Sequence, residues 1–244
     1  GNIGTVEIAR AAPDGYTLGL ISVASHTLNP MLYSRLPYDP EKDIVAISRV
    51  AILANLLGLT QSVPANNVAE LIALCKESPG KYSFASSGPG TSLHLSGELF
   101  KSLAGVDIVH VPYKGAGPAV VDLIAGHVQF MFTTMPPALS HVKTGRLRAL
   151  AVASAKRSTL LPDLPTTAEN GAKGVEASSW NGVLVPAGTA RDIIAKLHVE
   201  LSAIMKLPEM AEKLAAAGVE PMLTTPEEFA SYIDSETSRY ARVV

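Results

Sequence analysis

The strongest chemical signal in this 244-residue chain is Ser86-Ser87-Gly88-Pro89-Gly90-Thr91. It follows a strand-like run and opens a helix-like one. Glycines let the backbone approach a ligand with no Cβ in the way. Free N–H groups at a helix start, reinforced by the helix dipole, favour an anion. Ser86, Ser87 and Thr91 add hydroxyl donors. An ordinary strand-to-helix turn capped by Thr91 uses the same residues, so the segment alone does not decide. The spacing fits neither nucleotide fingerprint. No third glycine follows Gly88-x-Gly90 in place, and no Gly-Lys-Ser/Thr closes the loop. Two more segments hold equivalent positions between a strand and a helix: Lys114-Gly115-Ala116-Gly117 and Thr133-Thr134-Met135-Pro136-Pro137. His94, three residues after Thr91, can face the same mouth. Ser25, His26 and Asn29 follow an earlier strand and can close a site from the opposite side.

Catalytic and metal constellations are thin. No G-x-S-x-G elbow surrounds Ser86 or Ser87. His26, His94, His110, His127, His141 and His198 show no spacing of the H-E-x-x-H kind. Neither metal nor cofactor is expected. The lone Cys75 excludes an internal disulfide and a cysteine zinc cluster, and within VAELIALCK it reads as a buried core residue. The single Trp180 reads as a packed aromatic near a crossing between lobes.

These residues need elements to position them. From residue 63 onward, strands alternate with helices. Helices are expected over 67–76, 91–103, 118–125 and 136–143, and strands over 82–86, 106–113, 128–132 and 147–153. Such alternation predicts a parallel α/β sheet with right-handed crossovers. Its strand-to-helix loops emerge at one edge, where ligands bind. Before this block, 3–11 reads as a helix, 16–23 as a strand, SHTLNPMLY as a loop and 45–59 as one or two strands. After it come helices over 191–205, 208–217 and from Thr225-Pro226-Glu227-Glu228 onward. The block reads as a second lobe inserted into the first. Lobe one is 1–52 plus 178–244, lobe two is 63–174, and 53–62 and 175–177 are the hinge crossings. Small ligands bind in clefts between such lobes.

Composition narrows the function. Apolar residues make up 47% of the chain and charged residues 17%, a globular profile. The net charge of −2 gives no field to attract nucleic acid, so a bound anion is held locally. The most apolar stretch, Val50 to Leu59, falls far short of the roughly 20 residues of a membrane helix.

The run SSGPGTSLHLSGELFKSLAGVDIVHVPYKGAGPAVVDLIAGHVQFMF resembles the tripartite tricarboxylate transporter substrate-binding receptors, also called the Bug family. GNIGT with PDGYTL, SHTLNPMLY, LRALAVASAKRSTLLPDLPTTAENG, WNGVLVPAGT and PEEFASYI extend the likeness over nearly the whole chain. The resemblance implies a periplasmic binding protein of Venus-flytrap shape that closes on a small carboxylate and delivers it to a membrane permease. It implies no catalysis and no obligatory metal. By motif, Ser86, Ser87, Gly90, Thr91 and His94 face the cleft, Thr133 and Thr134 occupy the next loop, and Ser25 and Asn29 face them from the first lobe. Family members begin with a strand and an A-P-G-G-x-x-D-like loop before GNIGT. That stretch is absent here, so lobe one is expected to be incomplete at its N-terminus. A monomer with no nucleic-acid partner is expected. The rival readings are an α/β hydrolase-type enzyme and a ligand-dependent sensory receptor.

Overall fold

The computed structural model describes residues 1–241. The chain folds into two compact units: Gly1–Ile52 with the chain from Trp180 onward, and Leu53–Ser179. Residues 242–244, assigned from the sequence to lobe one, lie outside the described residues.

The first unit opens with helix α1 (Asn2–Arg10) and strand β1 (Gly19–Ser22). SHTLNPMLY, expected as a loop, is instead helical. A π-helical turn spans Ala24–Leu28 and a short helix α2 spans Asn29–Leu32. Burial drives this, since Ser25, His26, Thr27, Leu28 and Asn29 are all buried, and a buried backbone must satisfy its own N–H and C=O groups. Strand β2 (Ile44–Leu53) ends the first half of the unit. The second half carries β8 (Ser179–Pro186), α7 (Arg191–Met205), α8 (Pro208–Ala216), β9 (Glu220–Pro221) and α9 (Pro226–Tyr240). The sheet order is β1-β8-β2-β9, with β1–β8 and β2–β9 antiparallel. Thr225 and Glu228 close a full capping box at the start of α9, satisfying two donors that a helix start leaves open. Trp180 is fully buried here, edge-on to Phe229 at 5.2 Å. His26 lies 6.5 Å from the Trp180 ring. Burial pushes the His26 imidazole down to about 4, against weaker opposing pulls from its backbone hydrogen bond and Asp234.

The second unit contains β3 (Asn55–Leu59), α3 (Val68–Glu77), β4 (Ser83–Ser86), α4 (Ser92–Ala104) and β5 (Val109–Pro112). It continues with α5 (Ala116–Ala125), β6 (Phe130–Thr134), α6 (Met135–Lys143) and β7 (Arg148–Val152). The sheet order is β5-β4-β6-β3-β7. β4, β5 and β6 run parallel. The four strands expected to run parallel do so, and β3, not expected in this sheet, inserts between β6 and β7 antiparallel to both. The run expected as one or two strands over 45–59 forms two, β2 and the fully buried β3. Alternate residues of each strand feed opposite faces. Leu57, Phe84, Phe130 and Phe132 pack with Val68, Leu71, Cys75 and Phe100 on one face. Leu56, Ala85 and Met131 pack with Val120, Leu123 and Ala138 on the other.

Helix α4 lies unusually close to β4. A Cβ on the buried Gly97 would fall 2.0 Å from Cε2 of Phe84. Gly97→Ala is expected to destabilise the unit by about 1–3 kcal/mol through overpacking, despite alanine's better helix propensity. Gly117→Ala in α5, with nothing within 4 Å, should be neutral or stabilising. Equal effects of the two in denaturant unfolding would refute the close contact.

His26 generates a pH prediction. Its folded-state value lies below the unfolded one of about 6.5, so the unfolded chain binds more protons between pH 6.5 and 4. Stability is therefore lost as pH falls through that window, on the order of 3 kcal/mol in full. His26→Gln should flatten that part of the stability profile relative to the wild type. Parallel profiles would show that His26 is not buried neutral.

Candidate functional site

The parallel strands β4, β5 and β6 are neighbours in the sheet, so their C-terminal ends share one edge of the second unit. Helices α4, α5 and α6 begin there. This edge is where open α/β sheets receive ligands.

The first crossing, Ser86 to Thr91, is held by its own hydroxyls. Ser86 is fully buried. Its Oγ accepts the Gly88 N–H at 3.1 Å and lies 2.7 Å from His110 Nε2. The Thr91 hydroxyl donates to the Gly88 carbonyl at 2.8 Å and accepts the His94 N–H at 3.3 Å, which caps α4. Two of the three expected hydroxyls, Ser86 and Thr91, are thus engaged within the fold and shape the loop. The Ser87 carbonyl accepts the Gly115 N–H at 3.2 Å, tying the first crossing to the second. Gly88 and Gly90 have φ of 127° and 76°, a backbone region side chains rarely adopt. Helical geometry leaves the Ser92 and Leu93 N–H groups, in the first turn of α4, without intrahelical acceptors. Together with the half-buried Ser87, these are the donors the crossing offers an anion.

The second crossing brings Gly115 to the start of α5, with φ of 116° and no side-chain cap. Lys114 beside it is exposed. The third crossing differs from expectation. β6 runs directly into α6, so Thr133 and Thr134 are strand residues and not a loop. Thr133 is fully buried, and its hydroxyl donates to the Thr134 carbonyl at 3.2 Å. Thr134 takes the N-cap position without capping through its side chain. Pro136 and Pro137 fill the first turn of α6, and proline has no N–H to offer. The N–H donors at this edge therefore come from the starts of α4 and α5 more than from that of α6.

His94 does lie at this edge. Its Nδ1 accepts the Gly90 N–H at 3.4 Å, and its ring stacks on His110 at 4.2 Å. His110, from β5, also stacks on Phe84 at 4.8 Å. Burial holds both imidazoles below the ordinary histidine value; for His110 the neighbouring His94 adds to this. Glu98, one turn along α4, places Oε1 3.8 Å from His94 Nε2. Sequence reasoning missed His110 and Glu98. The one available signal was the four-residue step from His94 to Glu98, which puts both on one helix face.

Ser25 and Asn29 lie in the first unit and serve its packing. Ser25 Oγ donates to the Ser22 carbonyl at 3.4 Å, and its own carbonyl accepts the Tyr38 hydroxyl. Asn29 Nδ2 donates to Asn2 Oδ1, which also accepts the Tyr38 hydroxyl at 3.0 Å.

Comparison with known proteins gives this geometry a setting. The family described as "Tripartite tricarboxylate transporter family receptor" matches residues 1–244. Rpa4515 from R. palustris, solved with adipate, superposes with a TM-score of 0.94 at 35% identity, covering 100% of this chain and 81% of that one. The periplasmic binding protein BugD superposes with a TM-score of 0.90 at 32% identity, covering 99% and 81%. MatC from Rhodopseudomonas palustris, solved with malate, gives 0.89 at 27% identity, covering 99% and 83%. The chain has the α/β periplasmic-binding-protein fold and belongs to the tripartite tricarboxylate transporter receptor family, also called the Bug family, whose members bind solutes and are not enzymes.

Proposed function

We propose that this protein captures a small organic carboxylate in the periplasm and delivers it to the membrane permease of a tripartite transporter. The observation that carries the reading is adipate in a relative 35% identical over the full length of this chain. The second unit supplies chemistry of the right kind. In this reading, one carboxylate of the ligand docks where β4, β5 and β6 end. It accepts hydrogen bonds from the first turn of α4, from Ser87 and from the uncapped start of α5. Lys114, exposed beside Gly115, adds positive charge at long range. Dipoles and N–H donors fixed before the ligand arrives cost little reorganisation, which favours affinity. Malate in a second relative widens the candidates to shorter, hydroxylated diacids.

Thermal unfolding against a panel of mono-, di- and tricarboxylates tests this. A ligand at about 100 times its Kd should stabilise by about 2.7 kcal/mol, a shift of roughly 5–10 °C at this size. Absence of any shift with every acid, in a folded sample, would sink the proposal.

Gly90→Val should abolish most of the shift. The substitution also strains the backbone at φ of 76°, costing roughly 1–2 kcal/mol of stability. Gly105→Val controls for that strain, since Gly105 ends the same helix at φ of 61° with open space around it. Equal ligand shifts in the two variants would remove the α4 crossing from the site.

A further inference from the structure

We propose that His94, Glu98 and His110 form a binding site for a zinc-class divalent cation, independent of the carboxylate reading. One ligand atom from each of the three lies within 4.8 Å of the other two. The set comes from two elements: His94 and Glu98 from one face of α4, His110 from β5.

The donor set selects the metal. Two imidazole nitrogens and one carboxylate oxygen suit zinc, cobalt or nickel, whereas calcium and magnesium prefer all-oxygen shells. Zinc bonds of about 2.0–2.2 Å place its donors about 3.3 Å apart. His94 Nε2 and Glu98 Oε1 already lie 3.8 Å apart, so the main change on ligation is the orientation of the His94 ring. The Glu98 side chain is 41% exposed and free to adjust, and that exposure also gives the ion a way in.

The surroundings prepare the rings. Both imidazoles are half-buried, and the neutral ring is the form that binds metal. Phe84 stacking and the Ser86 contact fix the His110 ring, as outer partners of metal ligands do. His94 is held more loosely, by the 3.4 Å bond from Gly90. Ligation turns the His94 ring out of its stack on His110. His94 and Lys101 disfavour positive charge on His110, and Glu98 opposes them. Three protein ligands leave a fourth position open for water or an anion.

The test is titration of the purified chain at neutral pH with Zn2+, and with Co2+ for its visible absorption. One equivalent should bind, and the Gly90 amide signal should move, because its acceptor on His94 is displaced. Glu98→Gln, an isosteric substitution at a half-buried position, should weaken binding at least about tenfold. His110→Ala should abolish it, with circular dichroism confirming the fold. Asp122→Asn should change nothing, since the exposed His127–Asp122 pair is the competing surface site. Zn2+ binding that is unchanged in Glu98→Gln, or lost only in Asp122→Asn, would overturn the proposal. So would failure to bind Zn2+ or Co2+ in the folded wild type.

Discussion

Phe84 lies between a helix and a strand, and both surfaces of its ring are in use. Gly97 of α4 presses onto it so closely that any side chain at that position would collide. His110 of β5 stacks on it at 4.8 Å, and Phe130 of β6 follows at 6.2 Å. Two residues later, Ser86 turns its hydroxyl to His110 and takes the Gly88 N–H. A single buried ring thus sets the height of α4 above the sheet and the angle of His110. It also fixes the point where the backbone leaves β4. A loop of small residues has no packing of its own to hold it, so its geometry is inherited from this contact.

The inheritance matters because the proposed anion site relies on dipoles. Dipole–anion interactions fall off within a turn of the helix end. A displacement of α4 by a side chain's width would move its first N–H groups out of hydrogen-bond range. Formal charge is less demanding about position, yet here it is scarce: Lys114 is exposed and both histidines are held neutral by burial. On a chain with net charge −2, the proposed anion site needs donors whose places are fixed in advance.

Much of this could be read from the residues. The strand–helix alternation, the Thr91 cap and the helices ending at Gly105 and Gly126 all follow from local chemistry that each segment carries within itself. Strand direction does not. Hydrophobic period shows that a strand exists and which face it buries, but β3 reads alike in either orientation. Its antiparallel place between β6 and β7 is set by partners far away in sequence. Thr133 and Thr134 were misplaced for a related reason. Phe130 to Thr134 pairs residue by residue with β3, and that ladder extends the strand through both threonines. Their hydroxyls look available in sequence, while register places one of them in the core.

The histidines show the limit most clearly. His94 and His110 are sixteen positions apart, separated by most of a helix and a loop, and no recognised metal-ligand motif in this sequence joins them. They meet because a parallel crossover returns the chain to the neighbouring strand, with Ser86 paired to Pro112 and Phe84 to His110. That register puts His110 beside Phe84 on the face that α4 covers. His94 and Glu98 lie one turn apart on α4, and His94 meets His110 across that contact. Each half of the cluster has an ordinary local explanation, a helix-face pair and a strand histidine. Only the crossover turns them into one group of donors, so a sequence search by spacing passes over it.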